Sequence, residues 1–141
     1  TVNASGKYNL SFDFWITERA DNIDQNELNV KREFMIWVDR KAAEFDPYWY
    51  VGDVTIGGLK YSFYRIKDLK GTLSSRDFMV FIAKKAMPSG SIDVEDFIAY
   101  LLKKKYLTEV EYLKNIDFGN EIWYGDGETT VTRFDVSLKA K

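Results

Sequence analysis

The stretch Lys31-Arg32-Glu33-Phe34-Met35-Ile36-Trp37-Val38 decides how this chain is read. Side chains on a strand alternate with period two. Phe34, Ile36 and Val38 then share an apolar face that belongs in a core, while Lys31, Glu33, Met35 and Trp37 share the other. A carboxylate, a thioether and an indole together are an odd surface to show plain solvent. They suit gripping an amphipathic ligand and doing acid chemistry on it. Phe118-Gly119-Asn120-Glu121-Ile122-Trp123 sets a second carboxylate among aromatic residues, and Glu33 and Glu121 read as partners.

The segments around this stretch extend the pattern. From Tyr8 to Thr17, Tyr8, Leu10, Phe12, Phe14 and Ile16 alternate with Asn9, Ser11, Asp13, Trp15 and Thr17, a strand with one buried face. If it pairs antiparallel with the Glu33 strand, Asp13 and Glu33 share a sheet face within hydrogen-bonding distance. Glu18 to Asn29 is polar and reads as a connecting loop. Arg40 to Pro47 is a second connection, and Tyr48-Trp49-Tyr50-Val51 is aromatic and structural. Val54-Thr55-Ile56-Gly57-Gly58-Leu59-Lys60-Tyr61 predicts a tight hairpin, because two glycines supply the positive φ of a primed turn. The return strand runs to Ile66, Lys67 to Asp77 reads as a loop, and Phe78 to Lys84 as a strand. Val94, Phe97, Ile98, Leu101 and Leu102 fall on one helical face, with acids in the first turn and Lys103-Lys104-Lys105 at the end. Strand character resumes at Glu109. Gly125-Asp126-Gly127 allows a turn or bulge, and Thr129 to Leu138 alternates as a final strand. At least six strands with one helix predict a mainly β fold, a β-sandwich of antiparallel strands in a single domain, 1–141.

Composition limits the chemistry. Aromatic residues make up 16% of the 141 residues, which suits pleated surfaces. The net charge of −2 offers no electrostatic footing for nucleic acid or an anionic membrane. No run of about 18 apolar residues is present to span a bilayer. The chain has no Cys and no His. Disulfides, thiol nucleophiles, Ser-His-Asp triads and His-rich metal sites are therefore excluded, and no cofactor or metal is expected. Proton transfer falls to Asp and Glu. Two carboxylates without His suit glycosidic bond cleavage, one ionised as nucleophile and the other protonated as general acid. The apolar face of a pyranose packs on aromatic rings, so Trp15, Trp37 and Trp123 are candidate sugar contacts, and Asp117 can line the face of Glu121.

These residues also carry a resemblance. Glu33-Phe34-Met35-Ile36-Trp37 resembles the Glu-x-Met-x-Trp nucleophile strand of family 12 glycoside hydrolases, the endo-β-1,4-glucanases with a concanavalin-like jelly-roll fold. Phe118-Gly119-Asn120-Glu121 resembles that family's Phe-Gly-Thr-Glu segment, with Asn120 in place of Thr. Phe12-Asp13-Phe14-Trp15 is similar to its Tyr-Asp-Leu-Phe strand, and the Gly57-Gly58 hairpin and the single helix fall in matching order. The resemblance implies a retaining mechanism on a β-glucan polysaccharide, with Glu33 as nucleophile, Glu121 as acid/base and Asp13 supporting Glu33. It places Met35 beside the nucleophile under the sugar and Trp123 in the cleft. It implies a secreted, extracellular enzyme that acts in cellulose degradation. Family domains are longer, and Thr1-Val2-Asn3-Ala4-Ser5-Gly6 reads as a linker, so the expectation is a C-terminal portion that lacks an N-terminal segment of the same domain. A non-catalytic carbohydrate-binding sandwich, using the tryptophans and neither glutamate, is the alternative; a structural β-domain without a sugar ligand is a third.

Overall fold

The computed structural model describes residues 2–18, 30–70 and 75–137. The strands are β1 (Val2–Ala4), β2 (Lys7–Thr17), β3 (Val30–Lys41), β4 (Tyr50–Ile56), β5 (Leu59–Lys70), β6 (Ser75–Ala83), β7 (Tyr112–Tyr124) and β8 (Gly127–Thr129). The single helix among the described residues is α1 (Val94–Lys103). Six strands form one sheet in the order β4-β5-β6-β3-β2-β7, and β1 pairs with β8 in a small second sheet. Mainly β, one helix and two sheets is the architecture expected. One pair departs from the antiparallel expectation: β6 lies parallel to β3, because the β4-β5 hairpin is inserted before the chain returns to the β3 edge.

The core lies on one face of the six-stranded sheet. Phe14 and Phe34 stack across the β2-β3 pair with centroids 4.4 Å apart, and Phe63 stacks on Phe81 at 4.6 Å. All four rings are fully buried. Helix α1 closes this face by driving Phe97 edge-on into Phe81 and Tyr61, at 5.0 and 5.2 Å. Rings at these separations add attraction to their burial. The helix starts where Asp93 accepts a hydrogen bond from the Glu95 amide at 3.0 Å, and it ends at Lys103, shortly before Lys105 leaves the helical region with a φ of 59°. Replacing Asp93 with Ala leaves a first-turn N–H unsatisfied and is expected to lower stability by about 1 kcal/mol, read from urea denaturation midpoints.

The hairpin forms as expected, with Ile56 opposite Leu59 and both Gly57 and Gly58 at positive φ. Three segments differ from the sequence reading. Lys67 to Asp77 is not one loop: β5 runs to Lys70 and β6 starts at Ser75, with Leu69 opposite Arg76. The Tyr48–Val51 run splits into a 3-10 turn, Pro47–Trp49, and the start of β4. The strand expected from Thr129 to Leu138 does not form over its described residues, since β8 ends at Thr129 and residues 130–137 are irregular. Its alternation does place one anchor: Phe134 stacks on Phe118 at 5.4 Å. Leu138 and most of the loop expected from Glu18 to Asn29 lie outside the described residues.

Candidate active site

The opposite face of the six-stranded sheet gathers the polar residues. Strand β2 is its axis. Asp13 lies opposite Met35 of β3 on one side and opposite Asp117 of β7 on the other. Glu33 lies opposite Trp15, and Glu121 lies opposite Asn9. Directly opposed residues in antiparallel strands point to the same face, so both glutamates, Asp13, Asp117 and Trp15 share it. The two glutamates are staggered along β2 in opposite directions from Asp13.

Glu33 is buried, 6% exposed, and is ion-paired to the Arg76 guanidinium of β6. The same guanidinium lies over the Trp15 ring, 5.2 Å from its centroid. Trp15 in turn donates its indole N–H to Asp13 Oδ2 at 3.0 Å. Asp13 Oδ1 is buried and has no hydrogen-bond partner. Burial pushes the Asp13 carboxyl up to about 7, helped by the charges of Glu33, Glu121 and Asp117 and opposed by the Trp15 hydrogen bond. A carboxyl in that range holds its proton under mildly acidic conditions while a neighbouring carboxylate stays ionised.

Glu121 stands in a different setting. It is exposed, and its carboxylate accepts a 2.6 Å hydrogen bond from the Asn9 side-chain amide. Asn9 is fully buried, and its carbonyl oxygen accepts from the Ser11 hydroxyl at 3.2 Å and from the Glu121 amide at 3.3 Å. With its oxygen fixed from two sides, the Asn9 amide has one orientation, N–H toward Glu121. That burial also removes Asn9 as a glycan acceptor, despite its Asn-x-Ser pattern. Asp117 accepts from Asn115 at 2.6 Å.

The tryptophans divide. Trp123 is half exposed and lies 6.2 Å from Trp37, with the Lys7 ammonium over its ring at 5.2 Å. Trp37 and Met35 are each only 2% exposed, in a small cluster with Phe45, Tyr64 and Phe78. They underlie the face rather than line it, and the Trp37 indole N–H has no partner. Trp15 keeps partial exposure beside Arg76. Sequence reasoning misses Arg76, which sits in the Lys67–Asp77 segment whose composition predicts a loop. Continuing the alternation of Phe78, Val80 and Ile82 back two residues places Arg76 on the polar face. It also passed over Asn9, although Asn9 shares the alternation of Asp13 and Trp15.

No group of three or more metal-ligating side chains is assembled among the described residues. No helix among them is long and apolar enough to cross a membrane.

Comparison with known proteins agrees with this fold. The chain matches the glycosyl hydrolase family 12 profile over residues 1–139, and it belongs to that family. It is 26% identical to Endoglucanase S of Pectobacterium parmentieri over 99% of this chain and 52% of that protein. It is 32% identical to xyloglucan-specific endo-beta-1,4-glucanase A of Emericella nidulans over 75% of this chain and 44% of that protein. Among solved structures, the native family 12 xyloglucanase from Bacillus licheniformis superposes with a TM-score of 0.81 at 26% identity, over 90% of this chain and 54% of that one. The chain thus spans about half the length of the curated relatives it matches.

Proposed function

We propose that this chain carries the catalytic face of an endo-β-1,4-glucanase that hydrolyses cellulose, xyloglucan or a related β-glucan with retention of anomeric configuration. The observation that carries the reading is the placement of Glu33 and Glu121 on either side of Asp13 on one sheet face of a family 12 fold. Glu33 attacks the anomeric carbon as the glycosidic C–O bond breaks, and Glu121 protonates the departing oxygen. Water then attacks the same carbon, Glu121 takes its proton, and Glu33 leaves as the carboxylate. Asp13 supports Glu33, and Trp123 supplies an exposed ring for sugar stacking near Glu121. A polymer of this size is met outside the cell, so the place of action is extracellular. The names of the relatives include both endoglucanase and xyloglucan-specific glucanase, so xyloglucan stands beside cellulose as substrate.

The deciding experiment is incubation of the 141-residue chain with xyloglucan, barley β-glucan and carboxymethyl-cellulose, with the first-formed anomer followed by proton NMR. Release of reducing ends as the β-anomer is expected. A double displacement needs the carboxylates about 5 to 5.5 Å apart, and an inverting site about 6.5 to 9.5 Å. The stagger of the glutamates along β2 makes the anomer the sharpest discriminator: α-product overturns the covalent step, and no release by folded chain overturns catalysis by this chain.

A further inference from the structure

Glu33 occupies an unusual electrostatic position. It is buried on β3, its charge acts on Asp13 of β2, and Asp117 and Glu121 of β7 act on Asp13 from the other side. Its chain neighbour Arg32 gives it no cation, because Arg32 points to the other face and is bound to the Tyr106 carbonyl at 2.6 Å and Glu111 at 2.7 Å. Arg65 is likewise committed to Asp77 at 2.6 Å and to the Tyr106 ring. Lys31 reaches toward Glu18, and Lys7 lies at the far end of the face over Trp123. Among the described residues, Arg76 of β6 is ion-paired to Glu33.

The guanidinium is held as well as delivered. Its side chain is 16% exposed, and it packs over the same Trp15 ring whose indole N–H binds Asp13. Arginine suits this position because its planar group stacks on an indole while its N–H edge meets a carboxylate. Arg76, Glu33, Trp15 and Asp13 therefore form one linked set across β6, β3 and β2.

We propose that Arg76 is the positioning residue of Glu33: stacked on Trp15, it fixes the Glu33 carboxylate in place and keeps it ionised, so that the proton of the adjacent pair resides on Asp13. The inference deepens the proposed function and rests on Glu33 being the nucleophile. A buried carboxylate beside another carboxyl binds a proton readily unless a cation compensates it. Burial, then the Glu33 charge, pushes the Asp13 carboxyl up to about 7, and a cation paired to Glu33 places the proton of the pair on Asp13. Without Arg76 the two carboxyls compete for that proton, and the titration belongs to the pair.

The test is a carbon-13 NMR titration of the Glu33 and Asp13 carboxyl groups in the full 141-residue chain, comparing wild type with Arg76→Met and Arg76→Lys. Removing an opposite charge at contact distance raises a carboxyl midpoint by about 1 to 3 pH units. Arg76→Met is expected to raise the Glu33 midpoint by that amount, and Arg76→Lys to restore most of the wild-type value. The acid limb of kcat moves up with it, and KM changes little. An unchanged Glu33 midpoint in folded Arg76→Met overturns the proposal. Should that variant fail to fold, Arg76→Gln keeps donor groups without the charge and is read in the same way. Failure of every form to cleave glucan would overturn the catalytic reading alone, because the titration is scored without turnover.

Discussion

Replacing Glu33 with Gln is expected to lower glucan hydrolysis by about 10⁴- to 10⁶-fold, the scale on which removal of a covalent nucleophile acts. The amide matches the carboxylate in size but has neither the negative charge nor the basicity to attack an anomeric carbon. The effect is expected in kcat, because the sugar contacts proposed above, such as the exposed Trp123 ring, do not use the Glu33 charge. Calorimetric binding of a xyloglucan oligosaccharide should therefore survive the substitution. Structure adds a second consequence. Arg76 loses its anionic partner within a largely buried site, so a stability loss of about 1 to 3 kcal/mol accompanies the change. The comparison must therefore be made well below the variant's unfolding midpoint. A variant that retains more than a few per cent of wild-type turnover would remove Glu33 from the reaction. Oligosaccharide binding without turnover in both wild type and variant would instead favour the carbohydrate-binding module.

How much of this was legible in the sequence follows from what alternation can encode. The faces of β2 and β3 were readable because their period-two pattern runs uninterrupted through Asp13 and Glu33. The pairing of those strands was readable as well, and it brought Asp13 and Glu33 to one face. The helix was readable from its apolar spacing and its acidic first turn. Arg76 was not, because a Gly/Ser-containing stretch before it carries the signal of a loop, while strand pairing with β5 carries the ladder back through Leu69 and Lys70. Nor was the parallel pairing of β6 with β3, since no local pattern tells a strand which neighbour it will meet after a hairpin. Phe134 shows the converse. Its alternating surroundings promised a strand, yet its ring contacts with Phe118 and Phe12 form from irregular chain. Burial of Met35 and Trp37 was equally hidden, because it depends on neighbours such as Phe45, Tyr64 and Phe78, which arrive from the connection after β3, from β5 and from β6. Periodicity assigns a residue to a face, and only tertiary neighbours decide whether that face is open.

Asp13→Asn is expected to make the protein more stable at neutral pH and less active, and both effects have one source. In the unfolded chain the Asp13 carboxyl ionises near its ordinary value of 3.8, whereas in the fold burial and the Glu33 charge hold it up to about 7. Between those values the folded state binds one more proton than the unfolded state, so this group makes stability fall as pH rises. At 1.36 kcal/mol per unit the loss reaches about 4 kcal/mol and is complete above pH 7. Asn carries no charge and cannot incur it, and its carbonyl oxygen can still accept the Trp15 hydrogen bond. The stability advantage of the variant should accordingly be small at pH 4, grow through pH 6, and level off by pH 8 at up to about 4 kcal/mol in urea unfolding. An advantage that is equal at all three values, or that shrinks with rising pH, would show that Asp13 titrates in the fold as it does in the unfolded chain. Turnover should fall in the same variant, because the amide replaces the carboxyl proposed to support Glu33. A gain in stability tied by pH to a loss of turnover would mark Asp13 as a carboxyl kept in an unfavourable setting for its effect on Glu33.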